Sequence, residues 1–212
     1  MSIQYKILEN QNNITKGVLK EILPEIVMDY KKGVKLVQVT LPSILHEIVT
    51  GAPEYGSLIG GQLRLELGIP DASSKIARMI VNWTSNIQYN IKIPALAGHQ
   101  IKASFKASLF KANFSEVINT DDAKVYDRLR GYDLPWLQWL VFYGNIPIID
   151  DYAVEFRNTS RSRTGGAVMA SSKQSWHVPA SYAGTIEDNW ITRSISSHNH
   201  LIEKLMAKAF QW

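Results

Sequence analysis

Apolar residues in the N-terminal part of the chain recur at helical spacing. Over residues 13–32 they are three to five positions apart and lie beside lysines and glutamates, a pattern that predicts an amphipathic helix. The stripe consists of Ile14, Val18, Leu19, Ile22, Leu23, Ile26, Val27 and Tyr30. Pro24 predicts a kink or a division of this helix, because proline cannot donate the helical hydrogen bond. Gly33 predicts its end.

Three further helices are predicted before the pattern changes. One begins near Pro42 and ends at Gly51, with leucine, isoleucine and valine forming its buried stripe. A short one covers residues 62–67, bracketed by Gly60 and Gly61 on one side and Gly68 on the other. Another runs from Asp71, as its N-cap, to Trp83.

The period then changes from helical to alternating. Over residues 87–93 every second side chain is apolar, and residues 101–109 repeat the pattern with lysines and serines between the apolar positions. The apolar positions are Ile87, Tyr89, Ile91, Ile93, Ile101, Ala103, Phe105, Ala107 and Leu109. With residues 94–98 as a connecting loop, this pattern predicts a β-hairpin.

Two more strand regions are predicted at residues 146–156 and 167–170, and helical spacing returns over residues 186–212. The predicted class is therefore α+β, with N-terminal helices, a central antiparallel β-sheet and a C-terminal helix. We expect an N-terminal helical segment over residues 1–52 and an α+β core over residues 53–212.

Composition limits the kinds of protein this chain can be. Its 212 residues are 45% hydrophobic, as in a chain with a true core, and its net charge of +4 does not by itself require a nucleic-acid partner. The absence of cysteine excludes disulfides, cysteine–zinc sites and thiol catalysis. The polar N-terminus and the lack of an apolar run of about 18 residues predict a soluble protein, made inside the cell, with no membrane partner.

Residues typical of contact surfaces are concentrated between positions 134 and 193. Aromatic and arginine side chains carry much of the binding energy at protein interfaces. We therefore predict a partner or subunit interface made by Trp136, Trp139, Arg161, Arg163, Trp176, Trp190 and Arg193.

Two of these motifs have a second interpretation. The segment LPWLQWL, residues 134–140, is apolar on nearly all sides, so it lies either in the core or under a partner. Arg161 and Arg163 lead into Gly165 and Gly166 in a predicted hairpin loop. That loop is either solvated, or its arginines pair with carboxylates of a neighbouring chain.

The sequence contains no complete set of catalytic or metal-binding residues. His198 and His200 are two positions apart and diverge on a helix, so only His200 and Glu203 share a face. The glycines of residues 56–70 lack the spacing of a P-loop or a dinucleotide fingerprint. We therefore predict no catalytic, metal-binding or cofactor-binding residues.

The resemblance to a known family rests on four strings: SLIGGQLRLELGIPDA, LPWLQWL, RSRTGGAVM and WHVPASYAGTIEDNWITR. In their order along the chain and in their residues they resemble virion proteins encoded among the neck and tail genes of tailed bacteriophages, over about residues 54–193. The order of helices and strands is similar to that of the tail-completion, or neck, proteins.

This resemblance implies a structural virion protein, made in the host cytoplasm. Such a protein forms a homo-oligomeric ring that connects the capsid and portal to the tail or terminates the tail tube. Its partners would be neighbouring neck, portal-side, tail-tube or sheath proteins. If the ring encloses DNA, Lys102 and Lys106 would face its lumen and touch phosphates of double-stranded DNA non-specifically.

Two alternatives remain open at this stage. One is a hydrolase that uses His177 with an acidic residue such as Asp151. The other is a nucleic-acid-binding module that uses Lys102 and Lys106 together with the two arginines of the predicted loop, although a solvated lysine face is the simpler interpretation.

Overall fold

The computed structural model describes residues 10–108, 114–128 and 130–211, and the chain has the predicted α+β class. Its helices are α1 (Gln11–Thr50), α2 (Pro53–Gly60), α3 (Gln62–Glu66), α4 (Ala72–Ser85), α5 (Ser115–Ile118), α6 (Trp136–Phe142), α7 (Trp190–Ser197) and α8 (Asn199–Phe210). Its strands are β1 (Gln88–Ala97), β2 (Gln100–Ser108), β3 (Val125–Asp127), β4 (Tyr132–Leu134), β5 (Tyr152–Glu155) and β6 (Val168–Ser171). They pair as three antiparallel ribbons, β1–β2, β3–β4 and β5–β6.

The first two predicted helices are one helix of 40 residues, α1, which ends beside Gly51 as predicted. The predicted stop at Gly33 is wrong. Gly33 is buried inside α1, and a Cβ atom built on it would lie 2.1 Å from the carbonyl oxygen of Ala209 in α8. This glycine allows two helices to approach closely, a role that local sequence does not distinguish from a helix end.

Contacts divide the chain into two compact units. We call the first the hairpin unit; it consists of Met1–Leu41, Gln88–Ser108 and Glu203–Trp212. We call the second the tryptophan unit; it consists of Pro42–Ile87 and Leu109–Ile202. The predicted division into an N-terminal segment of residues 1–52 and a core of residues 53–212 concerns independently folding domains, and it stays a prediction.

The hairpin unit contains the predicted β-hairpin. β1 and β2 pair from Gln88↔Ser108 to Ala97↔Gln100, with an irregular register between Lys92 and Ala95, so the strand continues through most of the expected loop. Gly98, at φ +66°, and His99 form the turn. The predicted strand position Leu109 lies outside the described residues.

Aromatic rings form the centre of the hairpin unit. The ring of Phe210 lies 5.5 Å from that of Phe105 in β2 and 5.5 Å from that of Tyr30 in α1, measured between centroids. The hydroxyl of Tyr30 donates a hydrogen bond of 2.7 Å to the carbonyl oxygen of Ser104. Burial raises the pKa of Tyr30 above its ordinary value.

The tryptophan unit is built around a larger apolar core. Its fully buried side chains include Leu58, Leu63, Ile69, Ile76, Ile80, Trp136, Leu137, Leu140, Val178 and Trp190. The predicted helix after Asp71 is α4; Asp71 occupies the N-cap position at φ +49°, without a capping hydrogen bond from its side chain. The long strand predicted at 146–156 is only β5, preceded by a single bridge between Ile149 and Trp176. The predicted C-terminal helix divides at His198 into α7 and α8.

Candidate interaction surfaces

The tryptophans predicted to contact a partner belong largely to the core of this chain. Trp136 and Trp190 are fully buried, and Trp176 is buried. Each indole N–H has an internal acceptor: Trp136 donates to the carbonyl of Asp122 (3.0 Å), and Trp190 to that of Val49 (3.4 Å). These side chains offer no surface to a partner, so of the two interpretations of LPWLQWL the core is the right one.

Trp139 is half-buried and packs edge-to-face on Trp176, with 5.8 Å between ring centroids. The indole nitrogen of Trp176 donates to a carboxylate oxygen of Glu66 in α3 at 3.3 Å. The pair therefore joins α6 to the segment after β6 inside the chain. Only the outer part of Trp139 remains for contact with another molecule.

Arg193 also acts inside the chain. Its guanidinium donates to Glu54 Oε1 at 2.9 Å and to backbone carbonyls of Ala183 and Asp188 at 3.4 and 3.3 Å. Glu54 is only 6% exposed, so this arginine supplies the charge that a buried carboxylate requires. Asn189, the N-cap of α7, forms a capping box with Thr192 and fixes the helix that carries Arg193.

The loop of residues 161–166, which carries Arg161 and Arg163, is held against α3 and the β3–β4 hairpin. Arg163 lies over Gly68, which adopts φ +63°, and its guanidinium is 3.9 Å from the carboxylate of Asp127. Arg64 donates to the carbonyl of Thr164 at 3.5 Å. Arg161 is exposed. Arg163 is also exposed, but it lies against Gly68 and Asp127 of its own chain.

An exposed cluster that sequence reasoning missed lies on the β3–β4 hairpin and β5. We call Arg130, Tyr132 and the half-buried Tyr152 the tyrosine–arginine patch. Arg130 donates to the hydroxyl of Tyr132 at 3.0 Å, and its Cζ atom lies 5.9 Å from the ring centroid of Tyr152. The hydrogen bond to Tyr132 raises the pKa of Arg130.

The patch has the composition of a contact surface. Tyr132 is among the large exposed apolar side chains of the chain; Tyr126 is also exposed but points to the opposite face of the hairpin, because it pairs with Asp133 whereas Tyr132 pairs with Asp127. Tyrosine and arginine are enriched where proteins bind one another. The signal in the sequence was two tyrosines flanking a turn at Gly131, which adopts φ +74°.

The predicted lysines are exposed on one face of the β1–β2 hairpin. Lys102 and Lys106 alternate with apolar residues in β2, and Lys92 in β1 lies on the same face, because its pairing partner is Ser104. The structure therefore adds a third lysine to the pair found in the sequence.

The hydrolase alternative receives no geometric support from its two residues. The Nδ1 atom of His177 lies 2.8 Å from the carbonyl oxygen of Val178, its neighbour in the chain, and Asp151 is an exposed turn residue at φ +59°. No hydrogen bond joins the two side chains in the described part of the chain. Within the described part of the chain, no three histidine or acidic side chains are grouped so as to hold a metal ion.

Comparison with models of known families, with curated proteins and with solved structures found no significant match to this chain. Among the helices that the structure describes, none combines the length and the apolar character needed to cross a membrane.

Proposed function

We propose that this chain is a non-catalytic subunit of a homo-oligomeric ring in the neck or tail of a tailed bacteriophage. The resemblance of residues 54–193 to neck and tail proteins supports the virion context. The exposed surfaces of the chain support assembly. The ring would connect the capsid and portal to the tail, or terminate the tail tube, in contact with neighbouring neck, tail-tube or sheath proteins.

The observation that carries the proposal is the incompletely covered first half of α1. From Gln11 to Asp29 no described side chain is buried, although this part of the helix carries the apolar stripe found in the sequence. Ile14, Val18 and Ile22 are 44%, 56% and 40% exposed. A helix of this length gains most of its stability from packing an apolar face, so a neighbouring subunit is the natural cover.

A ring requires two different surfaces on each subunit. The stripe of α1 belongs to the hairpin unit, and the tyrosine–arginine patch belongs to the tryptophan unit. Two distinct contact surfaces allow head-to-tail association, which closes into a ring when the rotation between subunits divides a full turn. We propose that the stripe of one subunit packs against the next subunit of the ring, head to tail.

The test compares two double variants by light scattering and electron microscopy. The wild-type chain is expected to form rings whose mass is a multiple of 23.9 kDa. Val18→Ser with Ile22→Ser removes apolar area from the stripe, which should cost about 3 kcal/mol per interface and weaken association about 100-fold. The control, Val81→Ser with Ile186→Ser, changes two similarly exposed residues of the tryptophan unit and should leave assembly intact.

A wild-type chain that stays monomeric at high concentration, alone and with neck proteins of the same phage, would contradict the proposal. So would equal loss of assembly in the stripe and control variants. The virion context has its own test: immunogold labelling of particles of the phage that encodes the chain should place it at the neck or at the end of the tail. Label on the capsid surface alone, or none on the particle, is the opposing result.

A further inference from the structure

One face of the β1–β2 hairpin carries three lysines and no acidic residue. Lys92, Lys102 and Lys106 share it with small polar residues, since Lys92 pairs with Ser104 and Lys106 with Asn90. Residues 88–108 contain no aspartate or glutamate. Within the described residues, none of the ion pairs involves these three lysines. We call this surface the lysine face.

The opposite face fixes the orientation of the lysine face. Phe105, on that other side of β2, packs against Tyr89 at 5.9 Å and against Phe210 at 5.5 Å between ring centroids. The hydrogen bond from Tyr30 to the carbonyl of Ser104 adds a second attachment. The aromatic residues thus lie on the side of the hairpin that packs on its own unit, and the lysines lie on the other side.

The charge of the whole chain is concentrated in the same unit. The hairpin unit has eleven lysines against five acidic residues, whereas the tryptophan unit has twelve basic residues against fourteen acidic ones. The hairpin unit therefore carries +6 and the tryptophan unit −2, which together give the net charge of +4. The modest net charge of the whole chain is thus the sum of a strongly basic unit and a slightly acidic one. Electrostatic attraction of a polyanion depends on the local excess of positive charge.

We propose that the lysine face binds the phosphate backbone of double-stranded DNA without sequence preference. A two-stranded ribbon is one of the elements that the major groove, about 12 Å wide, admits. Lysine is a point-charge donor suited to phosphates, and the face has no arginine for bidentate readout of guanine. It also has no aromatic side chain on which unpaired bases could stack, which favours a duplex over a single strand.

This inference deepens the proposed function: only the location of the bound DNA inside a virion rests on that function. The binding itself is a property of a single chain, so it is measured on the isolated protein with a short fluorescent duplex of random sequence. With three phosphate contacts, the logarithm of the affinity should fall against that of the salt concentration with a slope of about −2.7, an approximately 40-fold loss between about 50 and 200 mM salt.

The decisive comparison uses variants of equal charge. Lys92→Gln, Lys102→Gln and Lys106→Gln together should weaken binding at least about tenfold and bring the salt slope close to zero. The control replaces three exposed lysines of α1 in the same unit with glutamine, Lys16, Lys20 and Lys35. It should lower affinity much less. A triple Lys→Arg variant of the lysine face should retain binding, because it retains the charge.

Several outcomes would overturn the inference. One is the absence of binding by the wild-type chain at low salt, which needs no variant to interpret. Another is equal weakening by the lysine-face and α1 variants, which would show diffuse attraction. A third is tighter binding to single-stranded DNA, or to vesicles containing phosphatidylserine, than to the duplex. Failure of ring formation leaves these measurements unchanged, so the two proposals fail separately.

Discussion

At the scale of single residues, the carboxylate of Glu54 shows how this chain uses its arginines. Glu54 is removed from water in α2, and Arg193 reaches it from α7 while also donating to carbonyls of the preceding loop. A buried carboxylate without a partner costs far more than an exposed one. Arg193 was predicted to meet another chain, but its donors are engaged within its own.

Replacement of Arg193 by methionine should therefore destabilise the folded chain. Loss of one partner from a fully buried pair typically costs about 3–5 kcal/mol, and because Arg193 is 34% exposed on its side chain we expect about 2 kcal/mol from urea denaturation. Arg157→Met is the matched control. Its ion pair with Glu155 is exposed on both sides, so its loss should cost less than about 1 kcal/mol. Similar losses for both variants would show that Glu54 does not depend on Arg193.

At the scale of elements, the contact between α1 and α8 depends on the missing side chain of Gly33. Gly33→Ala would place a methyl group against the backbone of Ala209, which cannot move aside as a flexible side chain would. We expect a loss of about 1–3 kcal/mol in the free energy of unfolding. Gly17→Ala is the control, because nothing lies within 4 Å of its added Cβ atom. That change should stabilise α1 by about 0.5–1 kcal/mol; a stabilising Gly33→Ala change would contradict the close packing.

The elements also show where sequence periodicity is sufficient. Long patterns succeed: the stripe of α1 and the alternation of β2 each repeat often enough to identify the element. The β3–β4 hairpin was missed because strands of three residues are too short to show alternation. Gly33 was misread because its neighbour, Ala209, is distant in sequence. Periodicity identifies an apolar face but does not reveal what covers it.

The candidate surfaces follow the same physical limit. Trp136 and Trp190 were both predicted to contact a partner, and only the tertiary fold shows that their own chain covers them. The lysines of β2 were placed correctly, because alternation alone assigns them to one face. Lys92 required the register of β1 against β2, which the sequence does not specify. Side chains whose role depends on one strand were thus predictable, and those that depend on pairing were not.

At the scale of the whole molecule, the two proposals use different side chains of the hairpin unit. The first proposal attributes subunit association to the apolar stripe of α1, and the second attributes DNA binding to the lysine face of the hairpin. In an assembled ring the two properties would reinforce each other. Several lysine faces that contact one duplex raise the overall affinity without any new kind of contact. Separation of the two therefore requires a duplex too short to reach more than one subunit.

The last prediction is that the two properties can be lost independently. The Val18→Ser, Ile22→Ser variant should be monomeric yet bind a short duplex with wild-type affinity, because neither change alters charge. The triple lysine-to-glutamine variant should form wild-type oligomers yet lose binding, because its changes remove charge without touching the apolar stripe. Light scattering and fluorescence anisotropy in the same buffers measure both. Loss of short-duplex binding by the monomeric variant would mean that DNA needs a site formed by several subunits, and loss of assembly by the lysine variant would place the hairpin in the subunit contact.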